Sequence, residues 1–225
     1  MTTRDRQRLA AFAAGCVLSL QAAVAHAQAS GTRTTTAPEP AKGYVEAVAN
    51  ATFGNVTSQA YGGEFGYGVT RTAQIYAEVG QVRNAATSTL SNAAQSIAGA
   101  LTQLQPSAVN YSVKQPYTYF SAGLRYILNT ETTLTPYAIA GFGVAQVKKD
   151  VSFTLASNEP VTNYVTLGED LTGTHTSGLL NLGGGVVWTA WQSLAVDFQF
   201  RYHRVFAADE GMNVLRAGVG IGIKF

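Results

Sequence analysis

From residue 43 to the C-terminus the chain alternates. Apolar residues take every second position, and glycines or polar residues fill the positions between them. A period of two is the signature of extended strands with two distinct faces, whereas helices repeat every three to four residues. Eight such stretches can be marked, at 43–53, 59–69, 73–83, 117–128, 135–147, 177–189, 194–206 and 213–225. The seventh is the cleanest, with Leu194, Val196, Phe198, Phe200 and Tyr202 against Asp197, Gln199, Arg201 and His203. In the fifth the faces are ambiguous, and Ala138, Ala140, Phe142 and Val144 are assigned outward with Gly141 and Gly143 inward. Each stretch runs about 11–13 residues. Strands of soluble sheets usually have about 5–6, and a tilted strand crossing a bilayer needs about 9–11.

The connections sort into two ends. Those after the second, fourth and sixth strands are short turns, while those after the third and fifth are long, at 84–116 and 148–176. Short turns at one end and long loops at the other characterise outer-membrane barrels. Within 84–116 the rhythm changes: Leu90, Ala94, Ile97, Leu101 and Leu104 recur at three- and four-residue steps and predict a short amphipathic helix in the second outer loop. Residues 148–176 are expected to form a polar loop.

Composition narrows the class. Charged residues are 12% of the chain and glycines number 23. Arg4, Arg6 and Arg8, then an apolar run, then Ala25-His26-Ala27, form an export leader over residues 1–27. A rival cleavage site at Cys16 lacks the leucine that usually precedes it. Removing the leader leaves 12 basic and 12 acidic residues, so no nucleic-acid partner is implied. Cys16 is the sole cysteine, so no disulfide or cysteine-bound metal is expected in the mature chain. Residues 28–42 are rich in Ser, Thr and Pro and read as a disordered tether. After the leader no run of 18 apolar residues occurs, which rules out a helical span but not a strand barrel.

The polar faces of the strands hold many glycines, at 62, 66, 68, 80, 123, 183, 185, 218, 220 and 222, and few charges. Such faces suit a narrow lumen better than a watered surface. Their long side chains are the most specific feature. Centring the second hairpin on Arg71 puts Glu64 across from Glu78. Centring the first hairpin on Val56 puts Glu46 diagonal to Glu64. Arg201 can align with Arg216, and Arg125 joins them; Asp197 lies on the same face as Arg201. The expectation is a lumen charge network of Glu46, Glu64, Glu78, Asp197, Arg125, Arg201 and Arg216, because buried charges must be paired. Tyr67, Tyr126, Trp188 and Trp191, with Tyr44, cluster at the short-turn ends, while Tyr202, Tyr61, Tyr117, Tyr119 and Phe142 lie toward the other. Two aromatic belts are expected.

Catalytic chemistry is sparse. His203 is followed by Arg204 and Val205, so the His-x-Ser pattern of lipid A deacylases is absent. His175, Ser177 and Asp170 could in principle meet in a loop, as could Asp150, Glu159, Glu169 and Asp170 around a cation, but solvated loop residues account for both sets. No metal site and no cofactor is expected, and the chain is read as non-enzymatic.

The chain ends on Phe225, preceded at alternate positions by Ile223, Ile221 and Val219. This segment resembles the C-terminal strand of bacterial outer-membrane barrels, which implies recognition by barrel-assembly machinery. Residues 43–225 as a whole resemble the small eight-stranded OmpA-type and OmpX-type barrels. The resemblance implies an all-β, antiparallel, up-and-down transmembrane barrel in the bacterial outer membrane, monomeric, with lipid and lipopolysaccharide as neighbours. The chain departs from OmpA-type proteins by stopping at the barrel, so a peptidoglycan anchor is not expected. The expected function is a salt-bridged, largely plugged barrel with a structural role in the envelope, or contact with a surface ligand or host protein through 84–116 and 148–176. A narrow pore for small solutes and a soluble lipocalin-like carrier are the alternatives.

Overall fold

The computed structural model describes residues 42–104, 109–129, 133–155, 168, 171–207 and 210–225. The leader, the tether and the acidic residues Glu159, Glu169 and Asp170 lie outside them. Among the described residues nine strands and one helix follow in order: β1 (Gly43–Phe53), β2 (Ser58–Gly68), β3 (Ala73–Val82), α1 (Ser88–Leu104), β4 (Val109–Lys114), β5 (Tyr117–Ile127), β6 (Leu134–Leu155), β7 (Thr172–Thr189), β8 (Leu194–Phe206) and β9 (Met212–Lys224). Eight of the strands form a ring. Neighbours pair antiparallel in chain order, with β3 on β5, and β1 closes onto β9. The result is an all-β, up-and-down barrel. The final residue is tied to the first strand: the Phe225 and Gly43 backbones exchange hydrogen bonds of 3.0 and 2.8 Å.

The faces follow the alternation. Phe65, Phe120, Leu124, Phe198, Phe200 and Ile221 point outward and are exposed, while Glu64, Glu78, Arg125, Arg201 and Arg216 point inward and are buried. β6 takes the orientation expected of it, with Phe142 and Val144 out and Gly141 in. Glycine allows close approach where β5 meets β6. A Cβ on Gly123 would sit 2.1 Å from the Ala140 carbonyl oxygen and 2.4 Å from the Gly141 Cα, both backbone atoms. Gly123→Ala should therefore destabilise the barrel by about 1–3 kcal/mol. Gly99, on the exposed side of α1 with open space around it, provides the contrast. There Gly99→Ala should stabilise by up to about 1 kcal/mol. Urea unfolding of the two variants against the parent checks both.

The structure departs from the sequence expectations in the long loops. Residues 84–116 hold the expected helix, but also β4, which pairs with the end of β6 from Val109↔Leu155 to Lys114↔Asp150. Residues 148–176 are not wholly loop, because β6 runs on to Leu155 and β7 begins at Thr172. The reason is α1. Its apolar side, Leu90, Ala94, Ile97 and Leu101, packs on Val109, Val113, Val151, Phe153 and Leu155. The strands continue beyond the barrel because the helix gives their odd-numbered face something to bury against. Thr87 caps the helix by accepting from the Leu90 N–H at 3.3 Å. Gln115 accepts from the Thr87 N–H at 3.1 Å and donates its own N–H to Asn84 at 3.0 Å, tying the two ends of the excursion together.

Candidate functional site: the barrel interior

The interior is layered. Toward the long-loop end it is apolar: Ala60, Val82, Tyr117, Tyr119, Ala145, Val147, Leu179, Val205, Met212 and Val214 form one buried cluster. Toward the short-turn end lie Tyr76, Tyr137, Ile139, Val187 and Ala195. The ionic groups occupy the middle.

Register brings the charges together in like pairs along the sheet. Glu64 faces Glu78 across β2 and β3, and Arg201 faces Arg216 across β8 and β9. Side-by-side like charges would destabilise the sheet, so each is answered from the far wall. Arg201 Nη2 reaches Glu64 Oε2 at 2.9 Å, and Arg216 Nη2 reaches Glu78 Oε1 at 2.8 Å, with all four side chains fully buried. Glu64 also takes Arg125 Nη1 at 3.3 Å and the Tyr44 hydroxyl. Asp197 accepts from the Tyr137 hydroxyl at 2.6 Å and lies 3.7 Å from Arg125 Nη2. The Arg125 guanidinium lies over the Tyr137 ring, 3.6 Å from its centroid. Around Glu78 a second cluster forms. Tyr119 donates to Oε1 at 2.7 Å, Asn181 donates to Oε2 at 3.0 Å, and Arg216 Nη1 donates to the Tyr119 hydroxyl. His203 hydrogen-bonds the Tyr117 hydroxyl at 3.1 Å through Nδ1, with its ring edge-on to Tyr119.

Of the seven residues expected in the lumen, six enter these two clusters. Glu46 points inward and is buried, but no ion pair reaches it among the described residues. Its register differs from the expectation: the first hairpin is centred on Asn55, not Val56, so Glu46 lies directly across from Glu64 rather than diagonal to it. The last pair of the hairpin is Thr52↔Ser58, so five residues, 53–57, make the connection and centre it on Asn55.

The aromatics split. Tyr67, Tyr126, Trp188 and Trp191 are exposed on the outer face or at the short-turn end. Tyr202 is half-buried on the outer face, donating to Asn213 Oδ1 at 2.7 Å. Tyr44, Tyr117 and Tyr119 do not join an outer belt. All three are buried inside, because they share the inward parity of Glu46 and Arg125 and their hydroxyls serve the ionic groups. Sequence reasoning places Asn181 and Lys224 on the polar strand faces without assigning them to the network, and it misses the inward hydroxyls of Tyr44, Tyr119 and Tyr137. Parity alone could have found the three tyrosines. Phe225, Ile223, Ile221 and Val219 line the outer face of the last strand and its end, all exposed. His175 and Ser177 both lie on β7, and no group of three metal-ligating side chains occurs among the described residues.

No protein-family model matches this sequence, and no curated protein matches it. Solved structures do match. Neisserial surface protein A is similar with a TM-score of 0.54 at 14% identity, over 82% of this chain and 97% of that one. The N-terminal β-barrel domain of Pseudomonas aeruginosa OprF (TM-score 0.48, 15% identity, 83% and 100% covered) and Ail of Yersinia pestis (0.47, 11%, 83% and 100%) also match. The first of these likenesses, with the closed ring and its apolar exterior, gives the chain the fold of a small eight-stranded outer-membrane β-barrel. Among the described residues no helix is long and apolar enough to cross a membrane; the strands have the length to do so.

Proposed function

We propose that the protein is a non-enzymatic barrel of the bacterial outer membrane with a plugged lumen, and that its function is carried by the parts beyond the membrane, 84–116 and 148–176. In this reading residues 1–27 are the export leader, 28–42 a tether and 43–225 the barrel. The observation that carries the plug is the stacking of an apolar cluster around Val82, Tyr117, Val147 and Leu179 on a cross-lumen ionic layer. An ion or solute would have to displace both. The apolar exterior, the reverse of a lipocalin, supports lipid and lipopolysaccharide as neighbours. Tyr67, Tyr126, Trp188, Trp191 and Tyr202 are assigned to the interfaces. Phe225, Ile223, Ile221 and Val219 are assigned to recognition by the assembly machinery, and the barrel to a monomer.

Planar-bilayer recording tests the plug. The parent should be silent, and Arg201→Ala and Arg216→Ala should stay silent because the apolar cluster remains. Steady conductance in the parent, or opening in either variant, would replace the plug with a narrow pore. That second reading has one observation in its favour, the buried lumen atoms without partners at Asn50, Thr52 and Gln199. The outer parts are tested by joining Val82 to Tyr117 through a short turn, which removes α1 and β4. The barrel should still fold and migrate as a heat-modifiable band, while binding of whole cells to host-cell or matrix surfaces drops to background. Unchanged binding would move the function away from 84–116.

A further inference from the structure

β9 presents three glycines to the lumen in succession, Gly218, Gly220 and Gly222, between Arg216 and Lys224. Each lies in a row across three strands: Asn50–Gly218–Gln199, Val48–Gly220–Asp197 and Glu46–Gly222–Ala195. With no side chains on the middle strand, the strip over β9 is a narrow crevice between β1 and β8 into which β1 leans: a Cβ on Gly218 would stand 2.5 Å from Asn50 Oδ1, and one on Gly222 2.6 Å from Glu46 Cβ. Its walls hold buried polar atoms without partners: both amide atoms of Asn50, Gln199 Nε2, Glu46 Oε1 and Asp197 Oδ1. Glu46 leans across the crevice. A Cβ on Gly220 would stand 3.2 Å from its Cδ and Oε2, which places that carboxylate over the glycine that separates β1 from Asp197. The two acids are 7% and 1% exposed.

Among the buried groups alone, the charges do not balance. The described interior holds four carboxylates, Glu46, Glu64, Glu78 and Asp197, against three guanidinium groups, Arg125, Arg201 and Arg216. Glu64 and Glu78 consume the short ion pairs, and Asp197 has Arg125 only at 3.7 Å. Lys224 stands at the short-turn end of the crevice, half-buried. Its ammonium donates to Thr189 Oγ1 at 2.8 Å, and no ion pair of it occurs among the described residues. An uncompensated carboxylate is costly to bury. We propose that the crevice binds one small monovalent cation, of sodium or potassium size, between Glu46 Oε1 and Asp197 Oδ1 above Gly220. One positive charge completes the interior; a divalent ion would overfill it. Hard oxygen ligands suit an alkali cation, and water on Asn50 and Gln199 completes its shell. The inference rests on the closed-lumen reading, but it is read out by stability rather than conductance, so the two can fail separately.

The test uses the purified protein reconstituted in neutral phosphatidylcholine vesicles, with the unfolding midpoint followed in sodium, potassium or choline chloride at one ionic strength. Sodium or potassium should raise the midpoint saturably, as a ligand of the folded state does, while choline, too large for the crevice, should not. Glu46→Gln should abolish that difference, and Gly220→Ala, whose methyl presses on the Glu46 carboxylate, should weaken it. Lys224→Gln should leave it in place. Equal midpoints in all three salts would overturn the site, and so would a parent that responds to falling pH but not to the cation, which makes a shared proton the occupant. Loss of the response in Lys224→Gln alone, or its persistence in both Glu46→Gln and Gly220→Ala, would overturn it too.

Discussion

Replacing Arg201 with methionine should cost the barrel about 3–5 kcal/mol, the range for removing one partner of a buried pair. Arg201 and Glu64 are both fully buried and 2.9 Å apart. Without the guanidinium, Glu64 keeps only Arg125 at 3.3 Å and the Tyr44 hydroxyl. The Gln199 side-chain oxygen, which now accepts from Arg201 Nε at 2.9 Å, also loses its donor. Most of the cost is the charge left behind rather than the strength of the pair. The double variant Arg201→Met/Glu64→Gln should therefore recover a substantial part of the loss, although each single change destabilises. Urea titration in vesicles measures all three. A double variant that loses the sum of the two single losses would mean that Arg201 acts through packing and not through Glu64.

The second large effect is expected on the other face. Phe200 lies near the middle of β8, points outward and is half-exposed. An arginine at the bilayer midplane costs about 2–4 kcal/mol, and near an interface about 0–1 kcal/mol. Phe200→Arg should thus destabilise strongly, whereas Phe206→Arg, at the strand's outer end beside Arg204, should be nearly neutral. The comparison turns a depth into a measurement. If both variants behave alike in vesicles, β8 does not cross a hydrocarbon layer with Phe200 at its centre.

The barrel itself was legible because lipid and lumen impose opposite demands on alternate residues. Every ring strand carries that alternation, and even the misplaced first hairpin kept its faces. Centring the turn on Val56 instead of Asn55 moves the partner of Glu46 by two residues. A two-residue shift changes the neighbour but not the side, whereas a shift of one would have inverted the strand. What failed was whatever does not answer to the bilayer. β4 and the end of β6 bury Val109, Val113, Val151 and Leu155 against α1, and six-residue alternations behind a helix look like loop. The tyrosines failed for a different reason. Tyr44, Tyr117 and Tyr119 suit a membrane interface and a buried carboxylate equally well as residue types. Their parity with Glu46 and Arg125 decides the matter, against the interface that their position at strand ends suggests. Within the ionic network the sequence named the charges but not their matching. Glu64 with Arg201 and Glu78 with Arg216 are pairs across the lumen, and no pairing of neighbouring strands predicts them.

The central claim is the orientation of the faces, and spin labels test it most directly. Cys16 is the sole native cysteine, so single cysteines can be placed at 198, 199, 200 and 201 after its replacement by alanine and labelled in reconstituted vesicles. Labels at 198 and 200 should collide with lipid-dissolved oxygen, and those at 199 and 201 should be shielded from it. The opposite parity, or equal oxygen access at all four positions, would contradict a barrel with its apolar face in lipid and its ionic face within.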